Sequence, residues 1–88
     1  MDDLELQTLR DSILESAQRM PRGISEAMLA KLLKAMTFDL PETGADSLQA
    51  QLTYLQDKGL IRPVNKAHTP SAATWQLTAA GDDYLRTR

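Results

Sequence analysis

The sequence predicts one α+β domain that is mostly helical, and three observations support this fold class. Apolar residues recur every three or four positions in three separate segments, which indicates amphipathic helices. Near the C-terminus, Thr74-Trp75-Gln76-Leu77 alternates polar and apolar residues, as a half-buried strand does. With 88 residues, the chain is long enough for one small core but not for two.

Helices one and two are predicted from their apolar faces. Helix one covers about 3–20, and its apolar face consists of Leu6, Leu9, Ile13, Ala17 and Met20. Helix two covers about 25–36 and starts at Ser25, because a serine side chain can accept a hydrogen bond from a free backbone N–H. Its buried face is expected to consist of Met28, Leu29, Leu32 and Met36.

Helix three covers about 45–58, and its end is better specified than its start. Its apolar face consists of Leu48, Leu52 and Leu55. Gly59 follows at the position where a helix end favours a left-handed residue. Two capping boxes fit the start, Thr43 with Asp46 or Asp46 with Gln49. The connection before it contains proline and glycine, and its Phe38 and Leu40 are expected to fold back on the core.

A hairpin over about 60–77 and a last helix over about 78–86 are predicted after helix three. The second strand of the hairpin turns Trp75 and Leu77 towards the core, and Thr78 is placed to cap the last helix. Helix, strand, loop, strand and helix in this order are typical of a winged helix. That fold is a three-helix bundle with a β-hairpin wing and a C-terminal helix.

One set of residues resembles the recognition helix, wing and following helix of small bacterial winged-helix regulators: Leu48, Leu52, Leu55, Lys58-Gly59-Leu60-Ile61 and Trp75-x-Leu77-Thr78-x-x-Gly81-x-x-x-Leu85. The resemblance covers about 25–86 and is to the MarR-like and PadR-like groups and to compact winged-helix proteins carried by phages. It implies a transcription regulator or a phage-associated DNA-binding protein. Helix three would then enter the major groove, and the wing would lie on the backbone.

Helix three carries the residues expected to read DNA. Those between its apolar positions are expected to face solvent: Ser47, Gln49, Ala50, Gln51, Thr53 and Tyr54. Gln51 can make a bidentate contact to adenine, and Ala50 can lie against a thymine methyl group. Ser47 or Thr53 would reach a phosphate or a base edge, and Tyr54 is expected to be half-buried. The alternative interpretation is an ordinary hydrated helix face.

Basic residues in the wing favour contacts with phosphate. No acidic residue occurs from Lys58 to Gly81, a segment that contains Arg62, Lys66 and His68. These three side chains are expected to touch the DNA backbone or the minor groove, and Lys34 is expected to contact phosphate from helix two. The alternative is a solvated hairpin that merely lacks acids.

Other classes of function find no support in the sequence. With no cysteine and one histidine, the chain has no thiolate or histidine metal site. No catalytic set of residues and no cofactor motif is visible, so an enzyme is not expected. The apolar runs are too short to cross a membrane, and the acidic start Met1-Asp2-Asp3 does not fit a signal peptide, so a cytoplasmic location is expected.

Two functions therefore remain. The first, which the acid-free wing favours, is a regulator that binds double-stranded DNA. The second is a winged-helix module that binds a protein partner, or a second copy of itself, without DNA. Helix three favours the second function, because its solvent-facing positions lack arginine and lysine. Charge also favours it, because residues 1–45 contain eight acids and five bases.

Overall fold

Four helices and three short strands make up the part of the chain that the computed structural model describes, residues 2–64 and 74–87. The fold class is α+β and mostly helical, as predicted. In chain order the elements are α1 (Asp3–Arg19), β1 (Ile24–Ser25), α2 (Glu26–Ala35), α3 (Leu48–Asp57), β2 (Ile61–Pro63), β3 (Thr74–Leu77) and α4 (Ala79–Thr87). None of these four helices is both long and apolar enough to cross a bilayer.

The three strands form an antiparallel sheet in which β3 lies between β1 and β2. Trp75 of β3 pairs with Ile24 on one side and with Pro63 on the other. Pro63 is tolerated because β2 is an edge strand, where a missing N–H does not break a second ladder. Strand β1 was not predicted from the sequence. It joins the segment between α1 and α2 to the C-terminal hairpin.

The core lies between the helices and one face of this sheet. Its buried apolar residues are Leu9, Ile13, Leu14, Ala17, Ile24, Leu29, Leu33, Leu48, Leu52, Leu55 and Ile61. The predicted buried face of helix two is partly wrong. Met28 and Met36 are 41% and 42% exposed, whereas Leu33 is buried. The helix is rotated so that Leu29 and Leu33, one turn apart, point inward and the methionines lie at the boundary with solvent.

The predicted helix caps at Ser25 and Gly59 are confirmed. Ser25 Oγ accepts a hydrogen bond from Met28 N at 3.1 Å at the start of α2. At the end of α3, Gly59 has φ +75°, and Leu60 N donates to Leu55 O at 3.0 Å. This six-to-one bond satisfies a carbonyl of the last helical turn that would otherwise lack a partner.

The predicted start of α3 is wrong. Neither Thr43 nor Asp46 is the N-cap; Ser47 is, and its Oγ accepts a hydrogen bond from Ala50 N at 3.2 Å. The same Oγ donates to Gly44 O at 2.8 Å. Because the preceding turn accepts this second bond, the hydroxyl is held inside the fold, and the helix begins at Leu48.

The connection between α2 and α3 folds back on the core, as predicted. Thr37 adopts a left-handed conformation with φ 70°, and Phe38 N then donates to Leu33 O at 3.0 Å. Phe38 and Leu40 pack against the core from the outside. The chain therefore changes direction at the end of α2 and packs against the core before α3 starts.

The segment Leu77-Thr78-x-x-Gly81 attaches α4 to the end of α3. Thr78 caps α4, because its Oγ1 accepts from Gly81 N at 3.1 Å, and it also donates to Gly59 O at 2.6 Å. A Cβ at Gly81 would lie 2.3 Å from the Leu60 carbonyl oxygen. Glycine is therefore required at this position by the close approach of α4 to the loop after α3.

Candidate functional site

The helix-three residue that was expected to read a base lies inside the protein. Only 1% of Gln51 is exposed, and its side chain makes two internal hydrogen bonds. Its Oε1 accepts from Arg10 Nε at 2.9 Å, and its Nε2 donates to Ala45 O at 2.8 Å. Ser47, 4% exposed, is likewise buried as the N-cap of α3. The prediction that Gln51 and Ser47 face solvent is therefore wrong.

Arg10 explains this burial, and its role was not predicted. It lies on α1, and its guanidinium carbon is 3.6 Å from the centroid of the Tyr54 ring, within the range of a cation–π contact. The same side chain donates to Gln51, so one arginine holds two residues of α3 against α1. Nothing in the local sequence marks this contact, because α1 and α3 are distant along the chain.

The other predicted site residues that the structure describes lie on α2, α3 and β2. On α3, Gln49 is exposed, Ala50 is half-buried, and Tyr54 is partly exposed beside Arg10. Lys34 is exposed on α2, beside the start of α3.

On β2, Arg62 is exposed, and its Nη2 donates to Gln76 Oε1 at 2.7 Å across the sheet. Lys66 and His68 lie outside the described residues. Within the described part of the chain, the exposed side of α3 thus presents mainly uncharged polar groups.

A groove of about 500 Å³ lies between α2, the connection after it and the first turn of α3. We call it the α2–α3 groove. Its apolar lining includes Ala27, Ala30, Leu33, Phe38, Leu40 and Leu48. Leu33 and Leu48 also belong to the buried core, so the groove lies directly over the core.

Charged groups line the groove unequally. Glu26, Asp39 and Glu42 contribute carboxylates, and Lys34 is the only basic residue among the lining residues that the structure describes. Glu26 occupies the first turn of α2 and is half-buried. Desolvation raises the pKa of its carboxyl group above the usual range for glutamate. Among residues 2–64 and 74–87, no hydrogen-bond or ion-pair partner offsets that burial.

Replacing Gln51 with alanine should destabilise the fold rather than change a binding preference. The substitution leaves the Ala45 carbonyl and the Arg10 guanidinium without their partner, so the free energy of unfolding should fall by about 1–3 kcal/mol. Urea denaturation followed by circular dichroism measures this. Gln49→Ala on the exposed side of the same helix is the control and should change stability by less than about 0.5 kcal/mol.

The stability contributed by Glu26 should depend on pH. Because burial raises the pKa of this carboxyl in the folded state, the folded protein binds the proton more readily than the unfolded chain does. Ionisation of Glu26 therefore lowers stability as the pH rises, and Glu26→Gln removes that penalty. The melting temperature of Glu26→Gln, relative to wild type, should rise from about pH 4 to about pH 7.

Thermal denaturation at several pH values measures this trend. Glu5→Gln gives the baseline for removal of an exposed acid from the first turn of a helix. A melting-temperature difference for Glu26→Gln that stays constant or decreases with pH would contradict the desolvation argument.

Comparisons with known proteins add no identification. No protein-family model, no curated protein and no solved structure matches this chain.

Proposed function

We propose that this chain is a winged-helix domain that binds another protein through the edge formed by α2, the connection after it and the start of α3. The winged-helix assignment is supported by the order of the elements and by the sheet order β1-β3-β2. In this arrangement α3 directly precedes the β2–β3 hairpin. Fold alone does not choose between a DNA reader and a protein-binding module, so the choice depends on the surface.

The charge beside the start of α3 is the observation that carries this proposal. A helix that enters the major groove places its N-terminal residues at the base edges and the preceding helix across the phosphate backbone. Here that region carries three carboxylates, on Glu26, Asp39 and Glu42, against the single ammonium of Lys34. The Debye length is about 8 Å at physiological ionic strength, so salt screens charges only in part over shorter distances. These carboxylates would therefore repel a phosphate in contact with α3.

The exposed side of α3 supports the same choice. Its outward residues Gln49, Thr53 and Gln56 carry no charge, and the helix ends with one acid and one base, Asp57 and Lys58. Gln51, the residue best suited to adenine, is held by Arg10 and by Ala45 and cannot turn outward without breaking both bonds. Neutral polar groups beside an apolar groove are ordinary components of a protein–protein interface.

The second candidate function is DNA binding, either as a transcription regulator or as a phage-associated DNA-binding protein. It is favoured by the absence of acidic residues from Lys58 to Gly81 and by the exposure of Arg62 on β2. In that case the wing would supply most of the affinity through phosphate contacts. These contacts do not depend on base sequence.

A mobility-shift titration with random duplex DNA at about 50 mM salt separates the two functions, because non-specific electrostatic binding is strongest at low salt. The interaction module is expected to give no shift. If the protein does shift DNA, Arg62→Ala with Lys66→Ala should weaken binding to every sequence equally and lower the salt slope by about 2. That result would overturn the proposed protein-binding function and support DNA binding instead.

A further inference from the structure

The side chains that line the α2–α3 groove indicate which kind of ligand it can bind. This inference rests on the proposed protein-binding function. The apolar lining of the groove, which we call the floor, includes Ala27, Ala30 and Leu33 of α2 and Phe38 of the connection. The groove has a volume of about 500 Å³, which lies within the common range for ligand sites, about 300–1,000 Å³. A space of this size takes one or two large apolar side chains rather than the whole face of a helix.

Glu26 adds an electrostatic requirement to this apolar space. Its carboxylate is half-buried at the groove and has no cationic partner among residues 2–64 and 74–87. Asp39 and Glu42 of the connection add two further carboxylates to the lining, and among the described lining residues only Lys34 supplies a compensating charge. A cation brought by an occupant would interact with Glu26 and with the two acids of the connection, whereas an anionic occupant would be repelled.

We propose that the α2–α3 groove binds an extended segment of a partner protein in which a large apolar side chain is flanked by lysine or arginine. The apolar side chain occupies the floor between Ala30 and Phe38, and the neighbouring cation pairs with Glu26. The small side chains of Ala27 and Ala30 leave the room for this contact. Charge complementarity makes a basic partner segment, rather than a neutral one, the occupant of this groove.

A random short-peptide library selected on the immobilised full chain tests the proposal. Selected peptides should be enriched in lysine or arginine next to leucine, phenylalanine or tryptophan. For a selected peptide, Glu26→Gln should raise the dissociation constant by about tenfold, the effect expected for one partly desolvated ion pair. Glu5→Gln removes an acid from the first turn of α1, outside the groove, and should leave the dissociation constant unchanged.

A steric variant tests the floor of the groove independently of charge. Ala30→Leu fills the groove from α2 and should abolish peptide binding. Ala35→Leu is its matched control, because Ala35 is also exposed on α2 but does not line the groove. Circular dichroism of each variant checks that the helices are intact.

The outcomes separate this inference from the proposed function. Selected peptides that bind equally well to Glu26→Gln and Ala30→Leu, or that are acidic, would overturn the groove and the edge that contains it as the binding surface, but would leave in place a protein-binding function elsewhere on the chain. Failure to select any peptide that depends on the groove would also overturn the groove as the binding surface. Binding of random duplex DNA would instead contradict the proposed function itself.

Discussion

Replacing Leu52 with alanine should lower the free energy of unfolding by about 2–5 kcal/mol. Leu52 is 0% exposed in α3 and belongs to the core that also contains Ile13, Leu29 and Ile61. Removal of its side chain leaves a cavity that the surrounding helices and sheet can fill only in part. Small domains are stable by about 5–15 kcal/mol, so this single change should remove a large share of the total.

Urea denaturation of wild type and Leu52→Ala, followed by circular dichroism, measures the difference. Leu4→Ala is a suitable control, because Leu4 is an apolar residue of α1 that is 76% exposed. Its stability change should stay within about 0.5 kcal/mol. A loss of stability for Leu52→Ala as small as that of the control would contradict the described core.

Replacing Gly81 with alanine should destabilise the protein by about 1–3 kcal/mol, the usual effect of forcing extra atoms into a packed site. The new Cβ would lie 2.3 Å from the Leu60 carbonyl oxygen and 2.6 Å from Leu77 Cδ1. Backbone cannot move aside as a flexible side chain can, so α4 must shift away from the loop after α3. Because Thr78 also joins α4 to that loop, the shift would weaken the Thr78 contact as well.

The sign of the stability change for Gly81→Ala distinguishes two explanations. Glycine inside an exposed helix is less favourable than alanine by roughly 0.5–1 kcal/mol, so helix propensity alone predicts that Gly81→Ala is stabilising. Close packing predicts the opposite. A melting temperature above that of wild type would show that α4 does not approach Leu60 as described.

Features fixed by neighbouring residues were predicted from the sequence. The caps at Ser25 and Thr78 and the left-handed Gly59 each depend on a few consecutive residues and on the backbone bonds that they satisfy. The alternation in Thr74–Leu77 was sufficient for β3. These local patterns still determine the folded structure, because no tertiary contact competes with them.

Features decided by distant contacts were not predicted. Strand β1 has only two residues, too few for any periodicity, and it is a strand because Ile24 pairs with Trp75. Thr43, Asp46 and Ser47 can all cap a helix, and packing of the preceding turn selects Ser47. In each case the local sequence is compatible with several local structures.

The candidate site was the least predictable part of the molecule. Spacing alone placed Gln51 with the polar positions of α3, but the Arg10 side chain on α1 gives it a partner inside the fold. The α2–α3 groove has no sequence pattern, because its lining comes from α2, the connection and α3, which are separate segments of the chain. Both depend on how helices meet, which periodicity does not specify.

The central position of β3 makes the single tryptophan of the chain an optical reporter. Trp75 pairs at once with Ile24, from the segment after α1, and with Pro63, from the strand after α3. Its emission therefore responds when the two halves of the chain come together, whereas far-ultraviolet dichroism responds to helices that can form locally. Contacts between residues far apart in sequence are slower to form than helical turns. The two signals together give separate access to helix formation and to closure of the sheet.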